Sequence, residues 1–297
     1  MTIPLAQFRY DGKKGLKLAK LETEIHDLYA SESEYAQMLA ESQREMAELV
    51  SMMAAHNRYG FLVVVQAMDA AGKDGTIRHV MSGVSPADVR VETFKRPTST
   101  ELDHDYLWRH QLVLPQRGHL TLFNRSYYEE VLAVRIHPEW LTTSQRLPEE
   151  RTHPLKKVWK QRYEDIANFE KYLHRNGIRV LKFFLNVSKK EQGRRLVERI
   201  EDPSKNWKFE EQDIHEREHW DAYQQAYEDA INATATKAAP WYVIPADDKK
   251  NMRLVVGRVI ASELKKLKMS YPSSSPERQA QLKNFIAVIR QQDESSK

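Results

Sequence analysis

The run Ala67-Met68-Asp69-Ala70-Ala71-Gly72-Lys73-Asp74-Gly75-Thr76 gathers small residues, a lysine and two carboxylates in one short stretch. Its spacing is that of a Walker A phosphate loop: glycine, four residues, glycine, lysine, then Ser or Thr. Gly72-Lys73 is in place, whereas Ala67 stands at the first glycine position and Asp74 at the Ser/Thr position. A tight loop that opens a helix aims several backbone N–H groups at one point, and the helix N-terminus adds positive potential there. Ala70, Ala71, Gly72, Lys73, Asp74 and Gly75 are therefore the candidate phosphate-binding residues, with Lys73 as a mobile cation. Asp69 and Asp74 would repel a phosphate unless a cation lay between. They are candidate ligands for Mg²⁺, directly or through water. A bare Gly-Lys pair would fit a glycine turn with a solvated lysine equally well. The apolar run before it and the helical pattern after it favour the phosphate loop.

Arg125 is a second candidate. It follows the apolar run Leu120 to Phe123, which places it at the carboxyl end of a strand, where α/β sheets hold ligands. The competing reading is an arginine paired with a neighbouring acid. The eleven histidines show no metal-ligand spacing, and His104 and His110 read as structural or solvated.

These residues need a scaffold. Phe61 to Gln66 is a β-branched apolar run suited to a strand buried on both faces. Further strands are expected at Val89 to Phe94, Leu120 to Phe123, Ile178 to Leu185 and Trp241 to Ile244. Helical periodicity lies between them, over Glu101 to Leu114, Leu155 to Arg175, Lys189 to Ile200 and Ile214 to Ile231. In the last of these, Trp220, Tyr223, Tyr227, Ala230 and Ile231 form a core stripe with no chemistry assigned. Alternating strands and helices imply a parallel five-stranded sheet with helices on both faces. Residues 1–57 read as a helical preface, with Leu18, Leu21, Ile25 and Leu28 and then Tyr35 to Met53 at helical spacing. The α/β domain that carries the phosphate loop would span 58–268. Residues 269–297 would hold a linker and a short helix, Gln279 to Arg290, with Gln292 to Lys297 frayed.

The 297 residues, 41% hydrophobic and 30% charged, suffice for a packed core. The absence of cysteine excludes disulfides, thiolate catalysis and a thiolate zinc site. No stretch has the length of a signal peptide or membrane span, so a cytoplasmic protein with no membrane partner is expected. The net charge of +4 and pI near 9.0 tolerate polyanions without identifying one.

Beyond the loop, the chain resembles the polyphosphate kinase 2 family. The resemblance begins at Met68 to Gly75 and continues in order. It takes in Phe94-Lys95-Arg96-Pro97-Thr98 with Glu101 to Arg109, then Phe123-Asn124-Arg125-Ser126-Tyr127-Tyr128-Glu129-Glu130. It closes with Arg199 to Phe209 and Ala239 to Asp247, and covers about residues 10 to 265. It implies a nucleoside-kinase-like P-loop fold, a three-layer sandwich with a helical lid around 189–212. It also implies Mg²⁺-dependent phosphoryl transfer between inorganic polyphosphate and ADP/ATP, in a homodimer or homotetramer. Asn124 stands where many members carry Asp, which resembles the class III group that accepts AMP as well as ADP.

Within that frame the basic segment 189–208 acquires a role. Taken alone, its interleaved acids would make it a solvated, ion-paired face. As a lid it would supply Arg195 and Arg199, four apart on one helical face, with Lys205 and Lys208, to neutralise charge on the transferred group. Lys95, Arg96 and Arg109 would extend a cationic path for a long polyanion, with Asn124 and Arg125 beside it. Tyr106 and Trp108 either stack on a base or belong to the core. Asp69, Lys73, Arg125 and Arg199 are the candidate catalytic residues. Two other readings stay open: an ATP-dependent nucleotide kinase on the same fold, and a non-catalytic P-loop protein that binds nucleic acid, a partner the first reading excludes.

Overall fold

The computed structural model describes residues 3–295. Six strands run in chain order: β1 (Arg9–Tyr10), β2 (Gly60–Ala67), β3 (Val89–Thr93), β4 (Leu120–Asn124), β5 (Ile178–Asn186) and β6 (Trp241–Pro245). The principal helices are α1 (Glu32–His56), α2 (Lys73–Val80), α3 (Leu155–Arg175), α4 (Lys189–Glu201), α5 (Gln212–Glu218), α6 (Trp220–Thr234), α7 (Lys249–Lys265) and α8 (Pro276–Ser295). The sheet order is β1-β6-β5-β2-β4-β3.

The five expected strands form and pair in parallel, with β2 central and every one of its residues buried. The sheet nevertheless has six strands, not five. Arg9 and Tyr10 pair antiparallel with Tyr242 and Trp241 along the free edge of β6. A two-residue strand carries no periodicity to read. Its effect is to cover an exposed sheet edge. From β2 the chain crosses to β3 on one side of the sheet, while β5 lies on β2's other flank. The carboxyl end of β2 is thus a switch point, where open α/β sheets bind ligands.

The helical reading of 18–28 is also corrected. Apart from one turn at Leu18–Lys20, the segment runs over the body of the domain without forming a helix. Its backbone groups bond to other elements instead. The Leu16 and Leu18 N–H groups donate to Asn232 and Glu228. The Ile25 carbonyl accepts from Asn251, and the Thr23 carbonyl from the Asp247 N–H. The helix expected over 101–114 is two short turns, Ser99–Leu102 and Trp108–Gln111. The Asp105 carboxylate captures the Leu107 N–H between them. The helix expected over 214–231 breaks at His219.

Helix α1 begins where Ser31 Oγ accepts the Glu34 N–H, and ends at Asn57 in the left-handed conformation. It crosses α7 so closely that a Cβ on Gly257 would stand 2.7 Å from Ser42 Oγ. Helix α8 starts three residues before the expected Gln279 and continues through Ser295. The fraying expected for Gln292–Lys297 is not seen over 292–295, and Ser296 and Lys297 lie outside the described residues. Among the described residues no helix is long and apolar enough to cross a membrane.

Candidate active site

The phosphate loop joins the end of β2 to α2. Ala67 is the last residue of β2, and extended backbone needs no glycine, which accounts for the first departure from the Walker pattern. The left-handed positions fall later, at Ala70 (φ 60°) and Gly72 (φ 103°). Lys73 is buried, and its ammonium donates to the Ala67 carbonyl at 2.9 Å and the Met68 carbonyl at 3.2 Å. It stands 3.9 Å from Asp69 Oδ1. Burial pulls the Lys73 pKa down, against the pull of Asp69.

The end of β4 faces the loop. Asn124 Nδ2 donates to Asp74 Oδ1 at 2.7 Å, which positions the carboxylate that replaces the Walker hydroxyl. Arg125 adopts φ 64°, and its backbone N–H donates to the Val65 carbonyl of β2. This turn aims the guanidinium at Asp69, which accepts from Nη2 at 2.5 Å. Burial works against the Asp69 carboxylate. The charges of Arg125, Lys73 and Arg199 outweigh it and hold the pKa below the usual carboxylate range. Arg125 therefore does pair with an acid, but the acid belongs to the phosphate loop.

The two arginines of α4 part company. Arg195 lies beneath the loop with its donors committed: to the Ala71 carbonyl at 2.7 Å, to Ala246 and Asp247 carbonyls at 2.7 and 2.9 Å, and to Glu191 at 2.7 Å. Arg199 lies one turn further on and is partly exposed. It donates to Asp213 of α5 at 3.1 Å. Burial and the nearby Asp69 raise the Asp213 pKa, and Arg199 offsets part of the rise. Lys208 reaches within 3.9 Å of Asp74, whereas Lys205 pairs with Asp202 at 2.5 Å. Helix α4 and the turn after it thus face the loop at Arg199 and Lys208.

On the β3 side, Lys95 and Arg96 are exposed. Arg109 is buried, donates to the Lys95 carbonyl at 2.9 Å and lies over the Phe94 ring. Beside it is a cavity of about 290 Å³, whose walls include Arg109, Tyr106, Glu101, Glu130 and Arg162. Trp108 stacks on His104. His110 is fully buried, and burial followed by the Arg109 charge pushes its pKa down to about 3, so it is a neutral core residue.

A family model described as Polyphosphate kinase 2 (PPK2) matches residues 29–272. The chain belongs to the polyphosphate kinase 2 family. It is similar to the ADP-polyphosphate phosphotransferase of Rhodopseudomonas palustris, at 46% identity over 95% of this chain and 97% of that one. It is similar to the AMP/ADP-polyphosphate phosphotransferase of Meiothermus ruber, at 45% identity over 79% of this chain and 82% of that one. The crystal structure of Polyphosphate Kinase 2 from Arthrobacter aurescens TC1 superposes with a TM-score of 0.82, at 32% identity over 95% of this chain and 97% of that one. The P-loop kinase fold is therefore shared with a solved member of the family.

Several residues near the loop were not singled out by the sequence. Asp213 is the partner of Arg199 and lies far along the chain from Asp69, so no local spacing announces it. Gln192 donates to the Asp69 carbonyl at 3.1 Å. It sits three residues before Arg195 on the same helix, and that periodicity is a usable signal. Arg253 of α7 brings Nη2 to within 3.7 Å of where a Cβ on Gly75 would stand, and its Nε is buried without a protein partner. Tyr223 and Tyr227, read as core alone, are buried but also border the Asp69–Arg125 pair electrostatically.

Proposed function

We propose that this chain transfers a phosphoryl group between inorganic polyphosphate and adenine nucleotides, making ATP from ADP and ADP from AMP, in a reversible, Mg²⁺-dependent reaction. The observation that carries the reading is the Asp69–Arg125–Lys73 cluster at the carboxyl ends of β2 and β4, in a chain of the polyphosphate kinase 2 family.

A terminal phosphate oxygen of the nucleotide, ionised near neutral pH so that no general base is needed, attacks the end phosphorus of polyphosphate, the bond from that phosphorus to its bridging oxygen breaks, and the polymer leaves one phosphate shorter with that oxygen. The difficulty is to align two polyanions and offset their repulsion. Lys73 leaves the loop carbonyls to meet a bridging phosphate oxygen. Arg125 and Arg199 close on the transferred group from the β4 and α4 sides. Lys95, Arg96 and Lys208 line the approach of the polymer, and the cavity beside Tyr106 and Arg109 takes the acceptor nucleotide. Arg195 acts from beneath, holding the loop carbonyls.

The donor set suits magnesium. Among the described residues no group of three or more His, Asp or Glu side chains converges. Mg²⁺ usually keeps several waters and takes one or two carboxylates plus substrate phosphates. Asp69 and Asp74 would hold it, with Asn124 orienting Asp74. Bound there, the ion neutralises charge on the phosphate oxygens.

Purified protein incubated with ADP, Mg²⁺ and polyphosphate tests the reading. ATP formation that requires polyphosphate, and ADP formation when AMP replaces ADP, are expected. Transfer only from added ATP would favour an ordinary nucleotide kinase. Silence in both, with salt-sensitive RNA or DNA binding, would refute transfer altogether.

A further inference from the structure

Helix α8 follows the family-matched residues 29–272 and carries an apolar stripe with no cover. None of its residues is buried. Leu282, Phe285, Ile286 and Ile289 recur at i, i+3, i+4 and i+7, so they lie on one face, and they are 40%, 52%, 50% and 55% exposed. Most helical stability in proteins comes from packing of such an apolar face, and here the face lies bare. The polar residues that flank the stripe say what covers it. Arg278 lies four residues before Leu282 and Asp293 four residues after Ile289, so both continue the same face. A two-fold axis through the midpoint of Phe285 and Ile286 would set Leu282 against Ile289 and Arg278 against Asp293. The surface is thus its own complement under the symmetry of an isologous dimer. Parallel pairing would instead put arginine on arginine and aspartate on aspartate.

We propose that α8 is a self-association element that pairs antiparallel with α8 of a second copy of this chain. The stripe supplies a knobs-into-holes seam about two turns long, and the Arg278–Asp293 pairs fix its direction. This is independent of the phosphate-transfer reading, since no residue of α8 belongs to the loop or the lid.

The chain contains no cysteine, so single introduced thiols report the pairing in the full-length protein. Ile286→Cys lies on the seam beside the axis. Asn284→Cys lies at nearly the same height on the opposite face. With a short bis-maleimide, Ile286→Cys is expected to give a covalent dimer and Asn284→Cys little or none. Arg278→Asp added to Ile286→Cys is expected to lower the yield about fivefold, because two like-charged pairs replace two opposite ones. Asp293→Arg added to that variant is expected to restore it. Absence of a dimer from Ile286→Cys would place the stripe on the chain's own body or on a different partner and overturn the proposal. Equal cross-linking from both positions, or no recovery in the charge-swapped variant, would overturn it as well.

Discussion

Replacing Lys73 by alanine separates the two things this side chain does. In the fold its ammonium satisfies two loop carbonyls at 2.9 and 3.2 Å and lies 3.9 Å from Asp69. Those gains are set against the burial of a charge, which already pulls the Lys73 pKa down. Arg125 still holds Asp69 at 2.5 Å after the substitution, so the remaining carboxylate is not left alone. Two lost charge-assisted hydrogen bonds and one relieved desolvation should leave a net loss of about 1–2 kcal/mol. That corresponds to a fall of only a few degrees in the melting temperature for a domain of this size. Catalysis has no such offset, because the cation's role there is met only when charge builds on the transferred phosphoryl. Loss of one preorganised electrostatic contact lowers kcat by about 10²–10³. Polyphosphate-dependent ATP formation from ADP, followed by a coupled luminescent readout alongside a thermal melt, gives both numbers. A Lys73→Ala protein that melts within a few degrees of the parent and retains activity within about tenfold would refute the phosphate-loop assignment.

Two further tests probe the residues around it. Arg195→Met and Arg199→Met should fail in opposite ways. The first strips three backbone carbonyls, two of them buried, of their donor and should lower unfolding stability by about 3–5 kcal/mol in urea titrations, whereas the second should change stability by less than about 1 kcal/mol and act mainly on kcat. The Asp69–Arg125 pair predicts a pH dependence with a definite sign. In the parent, the lowered Asp69 pKa means its contribution is fully present above the unfolded carboxylate value and is lost only as pH falls through the lower folded one. In Arg125→Gln the largest charge opposing burial is gone, so the Asp69 pKa moves up from its parent value and the half-buried carboxylate contributes less stability at neutral pH. The melting-temperature gap between parent and variant should therefore narrow as pH falls from 7 through the carboxylate range, and a constant gap would contradict the assignment.

The sequence was legible where one element makes its own argument. The run Phe61 to Gln66 had to be a buried strand, and the loop after it had to sit at that strand's carboxyl end, because both follow from local pattern and spacing. It was illegible where backbone groups find partners across the chain. Leu18 to Leu28 has the period of a helix, yet its N–H and carbonyl groups are taken by Glu228, Asp247 and Asn251, more than two hundred residues away in sequence. Arg195 and Arg199 show the same limit at the scale of one helix. A spacing of four puts them on one face, but the height along that face decides their roles, and only the arrival of the Ala71 and Ala246 carbonyls against Arg195 fixes it.

Asn124 carries this furthest, because its partner is the carboxylate at the hydroxyl position of the loop. An aspartate there would bring a second carboxylate up to Asp74, and the pair would either capture a cation tightly or share a proton. The amide instead donates a hydrogen bond to Asp74 at 2.7 Å, so the carboxylate is oriented without any ion. Together with the left-handed backbone at Ala70 and Gly72, this explains why the loop holds its shape while departing from the Walker pattern at both ends. The first position is extended and tolerates a side chain. The hydroxyl position has been replaced by a carboxylate whose direction is set from across the sheet, by the residue at the end of β4.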